Sequence, residues 1–371
     1  MTRQQHQAFA DAVNLDAFRK LPVFDGGRVK IIDTLARERV TMVYGKARWM
    51  DFTWDTIDLE DRKQQEKYKY DPVFTYLDMT FNRPYYADKP ILYVEMLPFR
   101  ETLLAHLPPD EREAWKKLGR ISWEMFAAPE AQAVYRAPET SQVEMKARNQ
   151  LFGAADAFIN AGSRLLMISP EPGSEQWTHI DPTPELEDSA IAIVPTSNPA
   201  DQKIVPGPGG GVLPGAAAVR EAGMADYWPI LADAWRHADA ETVNTMLALI
   251  AEDLPRINPA SYPPAYRLDL EHIYNVTGKF TIGYWLYAFA TLAMILALGT
   301  GRKTLLAAGV FLLVLALGAH AGSFAIRAIL SGRWAIHNQY ESFIAISLFA
   351  VLIGVVFMLV KRLWVIGAAA G

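Results

Sequence analysis

Apolar residues run almost unbroken through residues 280–298, 304–330 and 343–360, and the links between these runs are short and polar. At about 1.5 Å per helical residue each run can cross a hydrocarbon core of roughly 30 Å, and the second has length in excess. The first and third runs carry no charge, and the second carries only His320 and Arg327 as ionisable groups. Three such runs joined by short charged links exceed what a buried hairpin of a soluble domain would show. The pattern therefore predicts three transmembrane helices in a membrane domain over residues 273–371. Trp285 and Tyr287 near one end of the first span, with Trp334, Tyr340 and Trp364 outside the other two, fit interfacial aromatic belts.

Upstream, the spacing is that of an α-rich soluble domain over residues 22–272, punctuated by proline. Residues 33–44 place Leu35, Val40 and Val43 on one face behind an Asp33-Thr34 cap. Residues 110–126 follow Pro108-Pro109 and align Trp115, Leu118, Ile121 and Trp123. Residues 141–168 read as one long helix, with Ser141 and Glu144 as a capping box and Leu151, Ala155, Phe158, Ile159 and Leu166 as its stripe. Residues 227–235 and 240–254 form a further helical pair, and residues 190–194 a strand. The glycine- and proline-rich stretch 206–214 has no strand before it and no helix opening on Lys or Thr after it, so it reads as a linker and not as a phosphate cradle. Asp25-Gly-Gly27 is a turn. Residues 1–21 lack the apolar core of a signal peptide and read as an amphipathic helix presenting Phe9, Val13 and Phe18. The fold class is mainly α: a large α-rich extracytoplasmic domain followed by three transmembrane helices.

The net charge of -5 averages two unlike regions. From Phe280 onward there are six of the 36 Lys and Arg but one of the 41 Asp and Glu, so the acidic excess lies upstream and argues against a nucleic-acid partner. The link ending in Arg302 and Lys303, and the pair Lys361 and Arg362, fall on one side of a three-span layout. The positive-inside rule puts that side in the cytoplasm, and the residue 327–342 loop and the soluble domain outside it. Arg327 lies near enough to a helix end to snorkel. An exported domain of this size needs a signal, so either further chain is expected to precede Met1 or export uses a route the sequence does not show, and the sequence reads like the middle of something larger. The absence of cysteine excludes disulfides, thiolate metal sites and thioether haem attachment to this chain.

Two sites carry candidate chemistry. His320 lies about 24 Å along the second span from Thr304, in its outer third, and an ionisable residue at that depth is a functional candidate. Gly318, Ala319, Ala321 and Gly322 clear space beside it, so a flat ligand such as haem could approach, with His320 as axial metal ligand. The alternative is a helix-packing groove with the imidazole hydrogen-bonded to a neighbour. The loop after it offers Arg333, Trp334, His337, Asn338, Tyr340 and Glu341, whose aromatic faces and cationic donors suit a planar ligand bearing carboxylates. An ordinary interfacial turn explains some of the same residues, with Asn338 capping the third span and Glu341 in its first turn. His106, His179, His237 and His272 have no metal-ligand spacing, Glu101, Glu111 and Glu113 read as helix-start acids, and no nucleophile has a partnered base. No catalytic residue is assigned.

The segment Arg327-x-x-x-Ser-Gly-x-x-x-x-x-Asn338-x-Tyr-Glu-Ser342, between two spans, resembles the early part of CcsA-type (ResC-type) proteins, the integral-membrane components of system II cytochrome c synthetases. Arg333 and Ala335 stand where that family usually has His and Pro. The stretch beginning Asp25-Gly-Gly-Arg-Val-Lys30 and continuing through Asp33-Thr34 to Arg37 is similar to the segment before the CcsA part of large fused versions, with Ile31 in place of Pro. Tyr262-Pro-Pro and Leu270-Glu-x-x-Tyr-Asn275 resemble the approach to the first span. The family's tryptophan-rich external segment, Trp-Gly-x-x-Trp-x-Trp-Asp, is absent here, as are its external haem-ligating histidines. The resemblance implies a multi-pass protein of the bacterial inner (cytoplasmic) membrane with its soluble domain on the periplasmic side. It also implies haem as cofactor or cargo, and a ResB-like protein or the remainder of a CcsA-like protein as partner, with apocytochrome c as acceptor. A non-catalytic membrane-anchored scaffold that docks the subunits of a larger complex is the competing expectation.

Overall fold

Glycine and proline divide the upstream region more finely than its apolar period suggests. The computed structural model describes residues 1–51, 67–138, 141–181, 224–277, 282–331, 336 and 339–361, with backbone only at 164, 224, 225, 340 and 361. The chain forms two compact units, Met1–Tyr262 and Pro263–Gly371. Both are mainly α, with four short two-stranded antiparallel pairings among the described residues. The expected strand at 190–194 and linker at 206–214 lie outside the described residues.

In the first unit, Thr2 and Gln5 form a capping box that starts the Arg3–Ala12 helix. That helix ends before Phe18, which sits in the short Phe18–Lys20 turn, yet Phe9, Val13 and Phe18 all enter the same core. A hairpin follows, pairing Pro22–Asp25 with Arg28–Ile31. Its two-residue turn needs positive φ at both positions, and Gly26 and Gly27 supply it at +61° and +76°. The Ile32–Tyr44 helix then packs against Pro72–Phe81 and Gln142–Ile159. It has no side-chain cap. Asp33, expected in that role, instead accepts from Arg37 at 2.8 Å within the first turn.

Two expected helices are each broken. Residues 110–126 form Pro109–Leu118 and Trp123–Ala127, separated by Gly119 in the left-handed conformation and by the strand Arg120–Ile121, which pairs with Leu92–Tyr93. Ser122 recaps the chain through Met125 N. Residues 141–168 form the Gln142–Ile159 helix and then a strand, Leu166–Ile168, paired with Thr178–His179. Ser141 caps as expected by accepting from Glu144 N, while the Glu144 carboxylate reaches forward to Arg148 at 2.7 Å. The expected pair at 227–235 and 240–254 is present as Met224–Arg236 and Ala240–Ile257.

In the second unit an Ala265–Val276 helix precedes three long ones, Ile282–Thr300, Lys303–Ser331 and Gln339–Lys361. These three are long and apolar enough to cross a membrane. Phe289, Leu292, Ile295, Phe311, Phe349 and Phe357 are exposed on their outer faces, a surface that water would not tolerate and lipid requires. The chain is a membrane protein. The first two spans pack tightly at Gly309, where a Cβ would stand 2.5 Å from Met294 Cγ and 3.1 Å from the Ala290 carbonyl oxygen.

Candidate functional site

The second span is 29 residues long, so Arg327 lies about 36 Å from its start and past a hydrocarbon core of roughly 30 Å. There it meets the first turn of the third span. Its Nε and Nη2 each lie 3.2 Å from Glu341 Oε1, and the Glu341 side chain is only 4% exposed. Tyr274, on the Ala265–Val276 helix, is a further side-chain partner of Arg327. Arg267 of the same helix donates from Nη2 to the Leu330 carbonyl at 2.9 Å, satisfying one of the acceptors that the end of the second span leaves open. Glu271 and Asn275 are buried on that helix too. Three elements thus converge on a charged node at one end of the span bundle.

The node changes the roles expected of two residues. Glu341 does open the third helix, and its carboxylate is paired with Arg327. Arg327 is paired as well as placed near the helix end. Arg333, Trp334, His337 and Asn338 lie outside the described residues, as does the Tyr340 side chain.

His320 lies deeper, half-buried where the three spans meet. Its Nδ1 is 3.4 Å from the Tyr287 hydroxyl of the first span, with the rings edge to face at 6.0 Å. The backbone of Ile344 on the third span is its other partner. The imidazole is therefore bonded to its neighbours, as the packing alternative expects, and Gly318 and Gly322, each two residues away along the helix, lie on the opposite face and do not clear space beside it. A Cβ added at Gly318 or Gly322 would meet no atom within 4 Å. A macrocycle on that open face would lie out of reach of His320, which could give haem an axial nitrogen only on its own face, by releasing Tyr287 or Ile344. Among the described residues no group of three or more His, Asp or Glu could hold a bare metal ion.

Sequence reasoning passed over the most highly connected polar site of the first unit. His6 Nε2 lies 2.7 Å from Asp78 Oδ2 and Nδ1 lies 2.7 Å from the Tyr70 hydroxyl. A carboxylate accepts, so Nε2 presents a proton to Asp78. Trp235 Nε1 donates to the other Asp78 oxygen at 2.8 Å, with Asn82 beside it at 3.3 Å. Tyr85 stacks on the imidazole at 3.9 Å, and Trp49, Phe74 and Tyr86 close its remaining sides. Burial pushes the Tyr70 and Tyr85 phenols above their ordinary range, which keeps both neutral. His6 and Asp78 are 0% exposed, so no substrate reaches them and the cluster acts in folding. The one local clue was His6 three residues before Phe9, on the same helical face.

The Asp25-Gly-Gly-Arg-Val-Lys30 stretch is likewise accounted for by charge pairing. Asp25 accepts from Lys30 at 2.8 Å and Arg39 at 2.6 Å, and Lys30 also reaches Glu38 at 2.6 Å. Arg19 lies between Asp33 at 3.7 Å and Asp71 at 3.3 Å. Burial alone would raise the Asp25 pKa, but Lys30 and Arg39 outweigh it and hold the carboxyl below its usual value. A depressed carboxylate contributes stability that is present above its unfolded pKa and lost as pH falls through the folded one. Asp25→Asn is expected to cost about 1.5–3 kcal/mol near neutral pH. The gap from wild type should close on acidification, in urea titrations run at stepped pH; a gap that stays constant into acid would refute the pairing as its cause.

The remaining candidates are ordinary. His179 bonds the Gly162 carbonyl at 2.8 Å and His237 the Asp233 carbonyl at 2.9 Å. Glu111 lies in the first turn of its helix, as expected. Glu101 and Glu113 do not open helices as expected. Glu101 falls in the last turns of Leu97–Leu103 and Glu113 past the first turn of Pro109–Leu118, and both pair with Lys116. No family model and no curated protein matches this chain.

Proposed function

We propose that the chain is a membrane subunit of a system II-type cytochrome c maturation complex, incomplete on its own, which helps pass haem to apocytochrome c on the periplasmic face of a bacterial cytoplasmic membrane. One observation carries the proposal: Arg327 and Glu341, from the two halves of the motif that resembles CcsA-type proteins, meet as a part-buried pair where the second and third spans adjoin. In this reading His320 supplies an axial nitrogen. Trp334, His337, Asn338 and Tyr340 contact the ligand's outer edge, and Arg333 takes its carboxylates. A ResB-like protein, or the remainder of a CcsA-like one, completes the site. The bound haem is cargo, and the chain's own residues orient it and shield it from lipid.

The pairing of Arg327, Glu341 and His320 inside the chain favours a second reading, a scaffold that docks partner subunits without binding haem. Purification from native membranes separates the two. The haem reading expects a Soret band that His320→Ala removes in large part, with the protein's melting behaviour little changed. A haem-free preparation that still brings down other membrane subunits would leave the scaffold standing. Protease digestion of sealed inverted and right-side-out vesicles tests the orientation; cleavage of the Met1–Tyr262 unit from the cytoplasmic side would overturn both the topology and the haem reading.

A further inference from the structure

The Ala265–Val276 helix is amphipathic with its faces reversed. Glu271, Tyr274 and Asn275 are buried, whereas Tyr266, Ile273 and Val276 are 64%, 47% and 65% exposed. Leu270 lies half-buried among them, and the spacing of 266, 270, 273 and 276 makes one continuous stripe along the helix. A soluble helix buries such a stripe; here it is exposed, with Asp269 among it, while Glu271 and Asn275 are turned inward beside Leu268.

Its attachment explains the reversal. Arg267 bonds the Leu330 carbonyl and Tyr274 partners Arg327, so the helix is fastened to the last two turns of the second span. Those turns lie about 36–41 Å from the start of the Lys303–Ser331 helix, beyond a hydrocarbon core of roughly 30 Å and within the headgroup layer. Two contacts seven residues apart on the short helix land three residues apart on the span, which favours a crossing over a parallel run. At that depth the polar face has the Arg327–Glu341 node to satisfy, and the apolar face has acyl chains beside it. Tyr266 is a residue type that partitions into this layer, its ring in hydrocarbon and its hydroxyl among headgroups.

We propose that Ala265–Val276 is a membrane-interfacial helix. Tyr266, Leu270, Ile273 and Val276 seat in the leaflet that receives the end of the second span, and the polar face roofs the Arg327–Glu341 node. The occupant of the stripe is lipid. The helix shields the buried charges from acyl chains and fixes the depth at which the first span enters.

The chain has no cysteine, so single labels can be placed with no native cysteine to remove first. Nitroxides at Tyr266→Cys, Ile273→Cys and Val276→Cys, all exposed positions, would be read in the full chain in nanodiscs of phosphatidylethanolamine and phosphatidylglycerol. Collision with oxygen, which concentrates in lipid, is compared with collision with a water-soluble nickel chelate. Phe349→Cys on the third span and Val143→Cys on the first unit give the lipid and water references. Oxygen is expected to dominate at all three sites, with a ratio nearer Phe349 than Val143. Ratios at the Val143 level would overturn the proposal. Protection from both reagents would overturn it too, because protein would then cover the stripe. As a second measurement, Ile273→Asp is expected to leave the melting midpoint in detergent unchanged and lower it in nanodiscs. Equal midpoint changes in both media would count against a lipid contact.

Discussion

Asp78→Ala is expected to destabilise the Met1–Tyr262 unit by about 3–5 kcal/mol, the range for removing one member of a buried, hydrogen-bonded charged group. Asp78 sits on the Pro72–Phe81 helix and accepts from His6 of the Arg3–Ala12 helix and from Trp235 of the Met224–Arg236 helix. Removing it leaves an imidazole N–H and an indole N–H buried with no acceptor, each costing about 1–3 kcal/mol. It also unties the two ends of the unit, since these contacts span 72 and 157 residues of sequence. Asp78→Asn retains one acceptor oxygen but turns an NH2 toward a donor, so it should fall short of rescue. Trp49 and Trp235 lie in or against the cluster and report its opening by fluorescence during urea titration of the full chain in detergent. Asp11→Ala, which removes only the exposed partner of Tyr68, is the control and should shift the midpoint by less than about 1 kcal/mol. An Asp78→Ala midpoint indistinguishable from that control would show that the cluster does not hold the unit together.

What was legible in the sequence follows the physics of each signal. The three spans were placed to within a few residues because lipid demands a long uninterrupted apolar run, a signal that lies along one stretch of chain. The soluble helices are legible where the apolar period stops with the helix and merge where it runs on past a break. Ile121 and Leu166 keep the helical phase of the preceding stripe, so periodicity ran on through Gly119 and through the turn at Gly162 into two short strands. Strands of two or three residues leave too few positions for a two-residue alternation to register. The His6 cluster was hidden for another reason. Its members come from positions 6, 70, 78 and 235, and nothing local to any of them announces the others. The place of Glu341 in its first turn is legible in the sequence, but its pairing with Arg327, fourteen residues earlier, is not. Pairing across a loop is decided by how two helices approach each other, and hydropathy does not encode it.

That pair gives the second large effect, and a double substitution separates its two possible meanings. Glu341→Ala leaves the Arg327 guanidinium beside buried surface with one anionic partner gone. Arg327→Ala leaves Glu341 as an uncompensated carboxylate that is almost completely buried. Each single change is expected to cost about 3–5 kcal/mol. A residual charge at the span end adds pressure in the same direction, since an ionised side chain at membrane depth is unfavourable by about 2.5–3.5 kcal/mol at a helix centre and by less toward the ends. Replacing both with leucine removes both charges at once, and most of the lost stability should return, because buried ion pairs exchanged for well-packed apolar residues are near neutral. Thermal midpoints of the full chain in one detergent measure all three variants. Additive losses in the double variant would mean that Arg327 and Glu341 each serve other partners, Tyr274 among them, more than they serve one another. If stability returns in the double variant, its absorption spectrum then becomes informative about function. Haem retained by a stable chain lacking Arg327 and Glu341 would confine the ligand to His320 and the loop. Haem lost from an equally stable chain would move the Arg327–Glu341 pair from a helix clamp into the haem site itself.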